Sequence, residues 1–581
     1  MARSKKALKI TFEDFDGIDL RKTHTGKISC ADIENFRIMP DGSLKKRCGY
    51  KPIYTSASKV YAVWSGMLGG EFVCFAVIGS NVYKIDLENN TAKSIAFMSS
   101  GSSRFSFFFY IDTLYLKDTT TFYKVTTSYV KKVEGYVPLY GKDWPTTFCG
   151  EINEPLNLLN TKARISYKVP ANNSVMLPTG LKVLQVYSVY KNGELLPSSS
   201  YTIDSTFNTI NMQSVKEGDE FLVNLQFDYA AAGTSTMKMY LFQTTGVKVY
   251  SDIHTSRVFL WGSTPKNTVY ATTPISAESY AESEKYFSGH SPIYVPVGSE
   301  FVLGDGKNNV TAMLTHYDRL LIFTDGDVWM VDSAIFSDQN TPVKSINSVA
   351  GSSVSGAAIM AGNDPVSVGR HTIFRWTSDT DEFNQCNAYS ISDGINEKLS
   401  ADFFKNAIVF NDIYKNELWF YDPSGDGTVW IYSVNKKHWF KYTGIVAKSF
   451  FDANGKVGFY DDYSIYVFSE ELAYDTDNSG AEKEITAVFE SGLLDFESHE
   501  KKRLLEICTA GDVKSGELQV ELRLDTGEVI TSHPTVNGAH TLASKKLTSG
   551  RFSSLKMFIR SSGQTDGTIH SVILKANKKT R

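Results

Sequence analysis

The sequence lacks paired cysteines, and this excludes a disulfide framework. Six cysteines are scattered through 581 residues without a CxxC pair, whereas disulfide scaffolds are short and dense in cysteine. We therefore expect buried free thiols in a protein that is made in a reducing cytoplasm. The six residues are Cys30, Cys48, Cys74, Cys149, Cys386 and Cys508.

Long apolar runs are also missing, which excludes a membrane-spanning helix. The longest runs, such as 72–79 and 105–111, are far shorter than the roughly 20 residues that a membrane helix needs. They suit buried strands instead. The first ten residues carry basic side chains but no hydrophobic core segment, so we expect neither a signal peptide nor membrane insertion.

The chain has no excess of positive charge. It carries 60 Lys and Arg against 64 Asp and Glu, a net charge of −4. A protein that grips duplex DNA by its phosphates usually presents a basic face, so we expect no tight nucleic-acid binding by the monomer. A near-neutral wall past which DNA slides remains compatible with this balance.

Recognisable catalytic and metal-binding patterns are absent from the sequence. Its ten histidines form no HxH or HExxH pair, and neither a GxSxG elbow nor a P-loop occurs. Residues 475–480 copy the first half of a calcium loop, but Thr486 stands where the loop needs a bidentate Glu. We interpret them as a linker turn. We expect no catalytic residue, no cofactor and no metal.

One stretch, residues 424–430, weakly resembles the Asp-box of sialidase-type propellers. That box lies at a hairpin tip and is itself structural. A glycosidase would also need two carboxylates held across a cleft, which a sequence cannot reveal. A hairpin tip is therefore the simpler interpretation.

Aromatic residues are abundant, with 36 Phe, 31 Tyr and 8 Trp, and they favour pleated, half-buried surfaces. A sequence pattern recurs along the chain: an apolar strand, a tight polar turn and a second strand that contains Tyr or Trp. We call this pattern the blade phrase. Hairpins at roughly 40-residue spacing are typical of β-propeller blades, although strand-rich sandwiches can mimic them. The phrase occurs at 60–86, 113–125, 257–270, 319–332, 417–432 and 456–468.

The rhythm changes in two places. Residues 181–223 predict a long strand, an Asn192-Gly193 turn and further short strands, and they resemble a small β-domain of phage tail and fibre proteins. Strands also recur after 485 without the blade phrase. Between these two regions, the stretch 262–300 contains four prolines and is predicted to be irregular. The predicted fold class is all-β: a β-propeller with an inserted small β-domain and a C-terminal β-sandwich-like platform domain.

The predicted division of the chain has five segments. They are an N-terminal arm or platform element at 1–55, first propeller blades at 56–150, the inserted β-domain at 151–235, remaining blades at 236–470 and the C-terminal domain at 471–581.

A basic tripeptide, Lys45-Lys46-Arg47, follows a Pro-Asp-Gly turn near the N-terminus. Two interpretations are open for it. In the first, the tripeptide and Lys51 contact DNA phosphates or an acidic neighbour. In the second, the tripeptide is a solvated edge or turn.

Three passages together resemble the tail nozzle proteins of short-tailed bacteriophages, which are also called tail tubular or packaged-DNA stabilisation proteins. The family tends to carry an Asn and then Gly-x-Leu-x-x-Arg-Pro-Gly, where this chain has Asn35 and residues 42–49 with Cys48 in place of the Pro. The second and third passages are 310–331, with its Trp329, and 429–442, with its Trp439.

The resemblance implies a non-enzymatic virion protein that forms a ring, of six subunits in the family, below the portal and adaptor. The ring would retain packaged double-stranded DNA and let it pass at ejection without sequence-specific binding. It would contact portal-side tail proteins and tail fibres, and it would assemble in the host bacterial cytoplasm. The alternative is a propeller-based receptor-binding or glycan-degrading tail protein. Signature and assembly candidates are Asn35, Gly42, Arg47, Gly49, Trp329 and Trp439.

Overall fold

A computed structural model describes the chain in two compact units, which are considered separately. Unit 1 comprises Met1–Ser94 with Asn347–Arg581, and unit 2 comprises Ile95–Ile346. The five-segment division stays a prediction. The described residues are 8–23, 28–98, 101–141, 154–171, 176–204, 206, 208–230, 234–251, 256–317, 319–332, 343–378, 386–513, 517–534, 543–563 and 567–578. Cys149 lies outside them.

Four-stranded antiparallel sheets in meander order recur in both units, and this is the blade of β-propellers. Unit 1 contains β6–β9 (Val60–Leu68, Glu71–Ile78, Asn81–Asp86, Thr91–Phe97), β30–β33 (Ala358–Ala361, Asp364–Val368, Ile373–Ser378, Cys386–Ser390), β34–β37 (Ile408–Asp412, Glu417–Tyr421, Val429–Ser433, His438–Tyr442) and β38–β40 (Ser449–Asp452, Val457–Tyr460, Ser464–Ser469) with β5 (Gly49–Thr55).

Unit 2 contains blades of the same kind. They are β10–β13 (Ser106–Tyr110, Thr113–Lys117, Phe122–Val125, Val130–Val133), β22–β25 (Gly246–Ser251, Ser256–Trp261, Thr268–Ala271, Phe301–Val302) and β26–β29 (Val310–His316, Arg319–Thr324, Val328–Asp332, Val343–Asn347). The predicted all-β, β-propeller fold class is confirmed.

Local chemistry explains the blade hairpins. Strand β35 is buried along its whole length, and it pairs with β36 in register from Glu417↔Ser433 to Tyr421↔Val429. The loop between them contains Gly427 at φ +83°, a conformation that Gly adopts without a steric penalty. Two aromatic or β-branched strands joined by such a loop form a hairpin with one or both faces buried.

The two ends of the chain share the remaining sheets of unit 1. Strand β49 (Thr568–Lys578) pairs with β1 (Leu8–Phe12), β4 (Leu44–Lys46) and β44 (Lys502–Asp512). This sheet also contains β3 (Phe36–Ile38) and β47 (Ala543–Lys546). The described residues 8–23 and 28–55 are therefore integral to the sheets of unit 1.

A second sheet runs from a blade into the C-terminal strands. Strand β2 (Cys30–Glu34) pairs with blade strand β37 on one side and with β43 (Ala487–Ser491) on the other. The sheet continues through β48 (Leu555–Ser561), β45 (Leu518–Leu524) and β46 (Val529–Ser532). A short hairpin, β41 (Tyr474–Thr476) with β42 (Glu482–Glu484), precedes these strands.

Unit 2 also contains two sheets that are not blades. The first sheet has five strands, in the order β14 (Leu139–Gly141), β15 (Lys162–Lys168), β21 (Glu220–Phe227), β17 (Val183–Lys191) and β18 (Glu194–Leu195). The second sheet has three strands, in the order β16 (Met176–Pro178), β20 (Thr209–Met212) and β19 (Tyr201–Asp204). The predicted Asn192-Gly193 turn joins β17 to β18, with φ of +50° and +84°. Both residue types tolerate this left-handed conformation.

Helices are few and short. Those in the described residues are α1 (Ser235–Gln243), α2 (Ala277–Glu284) and α3 (Ala401–Asn406), with 3-10 turns at Leu20–Lys22, Ser198–Ser200 and Asn396–Lys398. Helix α2 lies inside the stretch 262–300, which the sequence predicts as irregular. Within the described ranges, no helix is long and apolar enough to cross a membrane.

Candidate functional site

Arg47, one of the signature candidates, lies inside unit 1 rather than on its surface. Its side chain is 2% exposed and forms a two-pronged ion pair with Asp475 of β41, which is 6% exposed. The Nη2–Oδ2 and Nη1–Oδ1 distances are 2.6 and 2.8 Å. This fork-to-fork geometry is the strongest arrangement for a guanidinium and a carboxylate.

The remaining guanidinium donors are also used. Nε donates to Asn35 Oδ1 at 2.8 Å, Nη2 to the Thr443 carbonyl at 3.0 Å and Nη1 to the Cys48 carbonyl at 3.1 Å. Arg carries five N–H donors, so every donor of Arg47 has a partner. Burial disfavours the charge, but the hydrogen bonds and charge of Asp475 outweigh it and raise the pKa of Arg47.

Asn35 extends this cluster to the blade and to the C-terminal sheet. It adopts φ +55° between β2 and β3, which Asn tolerates better than most residues. Its Nδ2 donates to Thr443 Oγ1 and to the Thr486 carbonyl, both at 3.0 Å. We call Asn35, Arg47, Thr443 and Asp475 the Arg47 node. It connects the N-terminal segment, the end of β37 and the entry to the C-terminal strands.

Two signature glycines occupy places where a side chain does not fit. A Cβ on Gly49 would lie 1.7 Å from the Tyr474 carbonyl oxygen, beside the ion-paired Asp475. Gly42 has φ +83°, and a Cβ there would lie 2.3 Å from Asp14 Oδ1. Gly49 is therefore required by the close approach of the Tyr474 backbone, and Gly42 by its left-handed φ.

Of the interpretations made from the sequence, contact with acidic neighbours fits the basic tripeptide, because Arg47 pairs with Asp475 and Lys45 with Glu470. Lys46 is 1% exposed and its Nζ donates to the Gly563 carbonyl at 2.6 Å. Lys45 pairs with Glu470 at 3.4 Å. Because Lys46 and Arg47 are buried among internal acceptors, the tripeptide is neither a solvated edge nor available to DNA phosphates.

Trp439 is a packing residue of blade strand β37. It is 4% exposed, its Nε1 donates to the Ile391 carbonyl at 2.7 Å, and its ring lies 4.9 Å from that of Tyr432. Its carbonyl accepts from the backbone N–H of Ile18 at 2.9 Å. Trp439 thus ties the N-terminal segment to the same strand as the node.

Trp329 belongs to unit 2 and has a local role. Its Nε1 donates to Asp327 Oδ1 at 2.8 Å, and the same carboxylate oxygen accepts from Thr324 Oγ1. The indole therefore locks the β27–β28 hairpin turn. The structure brings Asn35, Arg47 and Gly49 together, whereas Trp329 stabilises a separate hairpin.

The partial calcium loop is a hairpin turn. Asp475 is bound to Arg47, while Asp477 Oδ1 accepts from the backbone N–H of Ser479 at 2.8 Å and of Ala481 at 3.0 Å. No group of three or more His, Cys, Asp or Glu side chains in the described part of the chain is arranged to hold a metal.

An open pocket of about 660 Å³ lies in unit 1 beside the Asp-box-like stretch. We call it the Asp422 pocket, and its lining includes Asp402, Asp422, Asp426, Trp430 and Lys441. Asp422 Oδ1 accepts from Ser424 N at 2.8 Å, and Asp426 Oδ1 accepts from Thr428 N at 2.9 Å. These carboxylates shape their own loop, which supports the hairpin-tip interpretation.

The comparisons with known proteins identify no family, so the fold is assigned from the strand pairing of the chain itself. No family model and no curated protein matches the chain. Similar solved structures include the AfRom2 CNH domain (7% identity, 72% of this chain, 99% of that chain, TM-score 0.34). Another is the WD40 domain of SCAP from fission yeast, with 10% identity, 76% of this chain and 97% of that chain covered and a TM-score of 0.29. A third is a putative gluconolactonase, with 6% identity, 76% of this chain and 97% of that chain covered and a TM-score of 0.30. Likenesses at these TM-scores carry no functional argument.

Proposed function

We propose that this chain is a non-catalytic structural protein of the tail nozzle of a short-tailed bacteriophage. In this role it forms a ring with copies of itself, six in the family that it resembles, and the ring retains packaged DNA and lets it pass at ejection. The observation that carries the proposal is the Arg47 node. Asn35 and Arg47, from the first of the three passages that carry the family resemblance, form a buried joint between a propeller blade and the C-terminal strands of unit 1.

A joint of this kind suits a subunit that bears mechanical load. Strand β49 near the C-terminus is flanked by β1, β4 and β44, so both ends of the chain are hydrogen-bonded into one sheet. Pulling on either end would shear several backbone hydrogen bonds together. Such anchoring suits a subunit that must resist the pressure of packaged DNA.

The charge balance supports the same role. With 60 basic and 64 acidic residues, the chain has no overall attraction for phosphates. Association with DNA depends on counterion release at basic contacts, so a weakly acidic wall lets DNA slide without adhesion.

Assembly is the decisive test of the proposal. Electron microscopy and mass photometry of the purified chain, alone and with portal-side tail proteins, should reveal a ring with a lumen wide enough for duplex DNA. A chain that stays monomeric under all these conditions would overturn the proposal. Arg47→Ala is unsuitable as an assembly probe, because Arg47 is buried and its loss would unfold its surroundings first.

A second candidate function rests on the Asp422 pocket. Its volume of about 660 Å³ and its mixture of carboxylates, lysines and Trp430 suit a polyhydroxylated ligand of small-molecule size. We propose glycan binding there as the alternative, as part of receptor recognition. Binding of bacterial surface glycans that Asp426→Ala weakens and exposed Glu88→Ala does not would support it. Binding that responds equally to both variants would exclude this pocket.

A further inference from the structure

A second polar pocket lies in unit 2, at one end of two blades. It has a volume of about 600 Å³ and opens to solvent. The loop before β10 contributes Arg104, the β11–β12 turn contributes Thr119 and the end of α1 contributes Gln243. The β23–β24 loop contributes Gly262, Ser263, Thr264 and Lys266. We call it the Arg104 pocket.

The lining of the Arg104 pocket contains basic and neutral polar residues but no acidic residue. Its ten lining residues comprise two cations, Arg104 and Lys266, together with five hydroxyl residues, one amide and two glycines. None of the ten is acidic, although Asp and Glu outnumber Lys and Arg in the whole chain. Within the described residues, neither Arg104 nor Lys266 makes an ion pair. The pocket therefore offers hydrogen-bond donors and uncompensated positive charge.

The acidic residue that precedes Thr119 in sequence is buried and does not line the pocket. Asp118 is 1% exposed. Its Oδ1 accepts from the backbone N–H groups of Thr120 at 2.6 Å and Thr121 at 2.7 Å, and its Oδ2 accepts from the Tyr123 hydroxyl at 3.1 Å. This carboxylate organises the turn that presents Thr119 and does not occupy the pocket.

A buried amine, that of Lys117, lies behind the lining. The Lys117 ammonium donates to the carbonyls of Phe242 at 2.8 Å and Thr244 at 2.6 Å, on either side of Gln243 in sequence. It also donates to the Asp118 carbonyl at 3.2 Å, so three acceptors suit its three donors. Burial lowers the pKa of Lys117 to about 7, and an anion bound nearby would favour the charged form.

The loop that carries Lys266 is held in place by its backbone. Gly262 has φ +86°, and a Cβ there would lie 2.2 Å from Thr245 Oγ1. The Lys266 carbonyl accepts from Val310 N at 3.0 Å, and Thr268 N donates to the Pro265 carbonyl at 3.1 Å. A site that is organised before binding loses less entropy when a ligand arrives.

We propose that the Arg104 pocket binds a phosphate ester of nucleotide size. Arg recognises phosphate oxygens through paired N–H donors, Lys adds a point charge, and hydroxyls complete the hydrogen bonding. The volume exceeds what a lone phosphate fills and lies within the range of small-molecule sites. The ester has two possible sources, a free nucleotide or a unit of a single-stranded polynucleotide. The inference does not depend on the proposed tail function.

Calorimetric titration of the full chain at low ionic strength tests the proposal with three probes. These are inorganic phosphate, thymidine 5′-monophosphate and an eight-residue oligothymidylate. Arg104→Gln with Lys266→Gln should weaken binding at least tenfold, because each removes a charge-assisted contact. Thr119→Glu should have a similar effect without removing a cation. The matched control, Lys131→Gln with Lys344→Gln, removes the same charge from exposed positions of unit 2 and should change affinity less than twofold.

The outcomes separate cleanly. Pocket-dependent binding of the mononucleotide assigns a free nucleotide as the ligand, and pocket-dependent binding of the oligomer alone assigns a polynucleotide. Pocket-dependent binding of inorganic phosphate supports the phosphate site itself. Failure of all three probes to bind at millimolar concentration overturns the proposal, as does equal weakening by the pocket and control pairs. Unchanged thermal melting of the variants, whose substituted cations are exposed, verifies folding.

Discussion

Replacing Arg47 by Met should destabilise unit 1 more than replacing any exposed cation. Met keeps most of the side-chain volume but removes the partner of Asp475, which is only 6% exposed. It also leaves Asn35 Oδ1 and the Thr443 carbonyl with one donor fewer. Removing one member of a buried ion pair costs roughly 3–5 kcal/mol, a large share of the ~5–15 kcal/mol that stabilises a typical domain.

Hydrogen exchange measured by mass spectrometry is the suitable assay, since two units need not unfold in one transition. Peptides covering β5, β37 and β41 should lose protection in Arg47→Met, while peptides of unit 2 keep theirs. Arg21→Met is the matched control. Its side chain is 62% exposed and pairs with Asp19 at 2.9 Å, and such surface pairs contribute about 0–1 kcal/mol.

A double variant isolates the cause of the loss. In Arg47→Met with Asp475→Leu no charge is left buried and unpaired, so it should be more stable than Arg47→Met alone. Two results would contradict the reasoning about the node. One is that Arg47→Met lowers the free energy of unfolding no more than Arg21→Met does. The other is that the double variant loses more stability than the sum of the losses of its two single variants.

Three further predictions concern other positions. Gly49→Ala places a Cβ 1.7 Å from the Tyr474 carbonyl oxygen, so it should lower the free energy of unfolding of unit 1 by more than about 2 kcal/mol, as denaturant titration can measure; tolerance of alanine would contradict the close approach. Hydrogen bonds from Lys191, Lys216 and Asn192 lower the pKa of Asp219 to about 2. The ionised carboxylate should add about 1 kcal/mol to the free energy of unfolding of unit 2, after allowance for solvent screening. This contribution should be complete well above the unfolded pKa of about 4 and be lost as the pH falls through about 2, and Asp219→Asn should flatten the pH dependence of the melting temperature over that range. Burial raises the pKa of Cys74 to about 12, so iodoacetamide at pH 8 should leave this thiol unmodified in the native protein and alkylate it after denaturation; labelling at equal rates in both states would refute its burial.

Local structure was the part of the fold that could be predicted from the sequence. The hairpins at 319–332 and 417–432 appear as β27–β28 and β35–β36, because strand alternation and turn residues act between neighbours in the chain. The Asn192-Gly193 turn was predictable for the same reason. Residues 262–300 were predicted as irregular although they contain α2, because an eight-residue helix with mixed polarity leaves a weak pattern.

The composition and the local patterns of the sequence by themselves determined the all-β class, the blade hairpins and the Asn192-Gly193 turn. Only the tertiary structure decided what the signature residues do, because Arg47 meets Asp475 across 428 residues of sequence and β5 meets β40 from the opposite end of the chain. A basic tripeptide looks solvated until its acceptors are known, and those of Lys46 and Arg47 come from distant segments. The sequence shows which residues carry a charge, and any of them that is buried needs a partner of opposite charge or a hydrogen-bond partner. Long-range packing selects the partners.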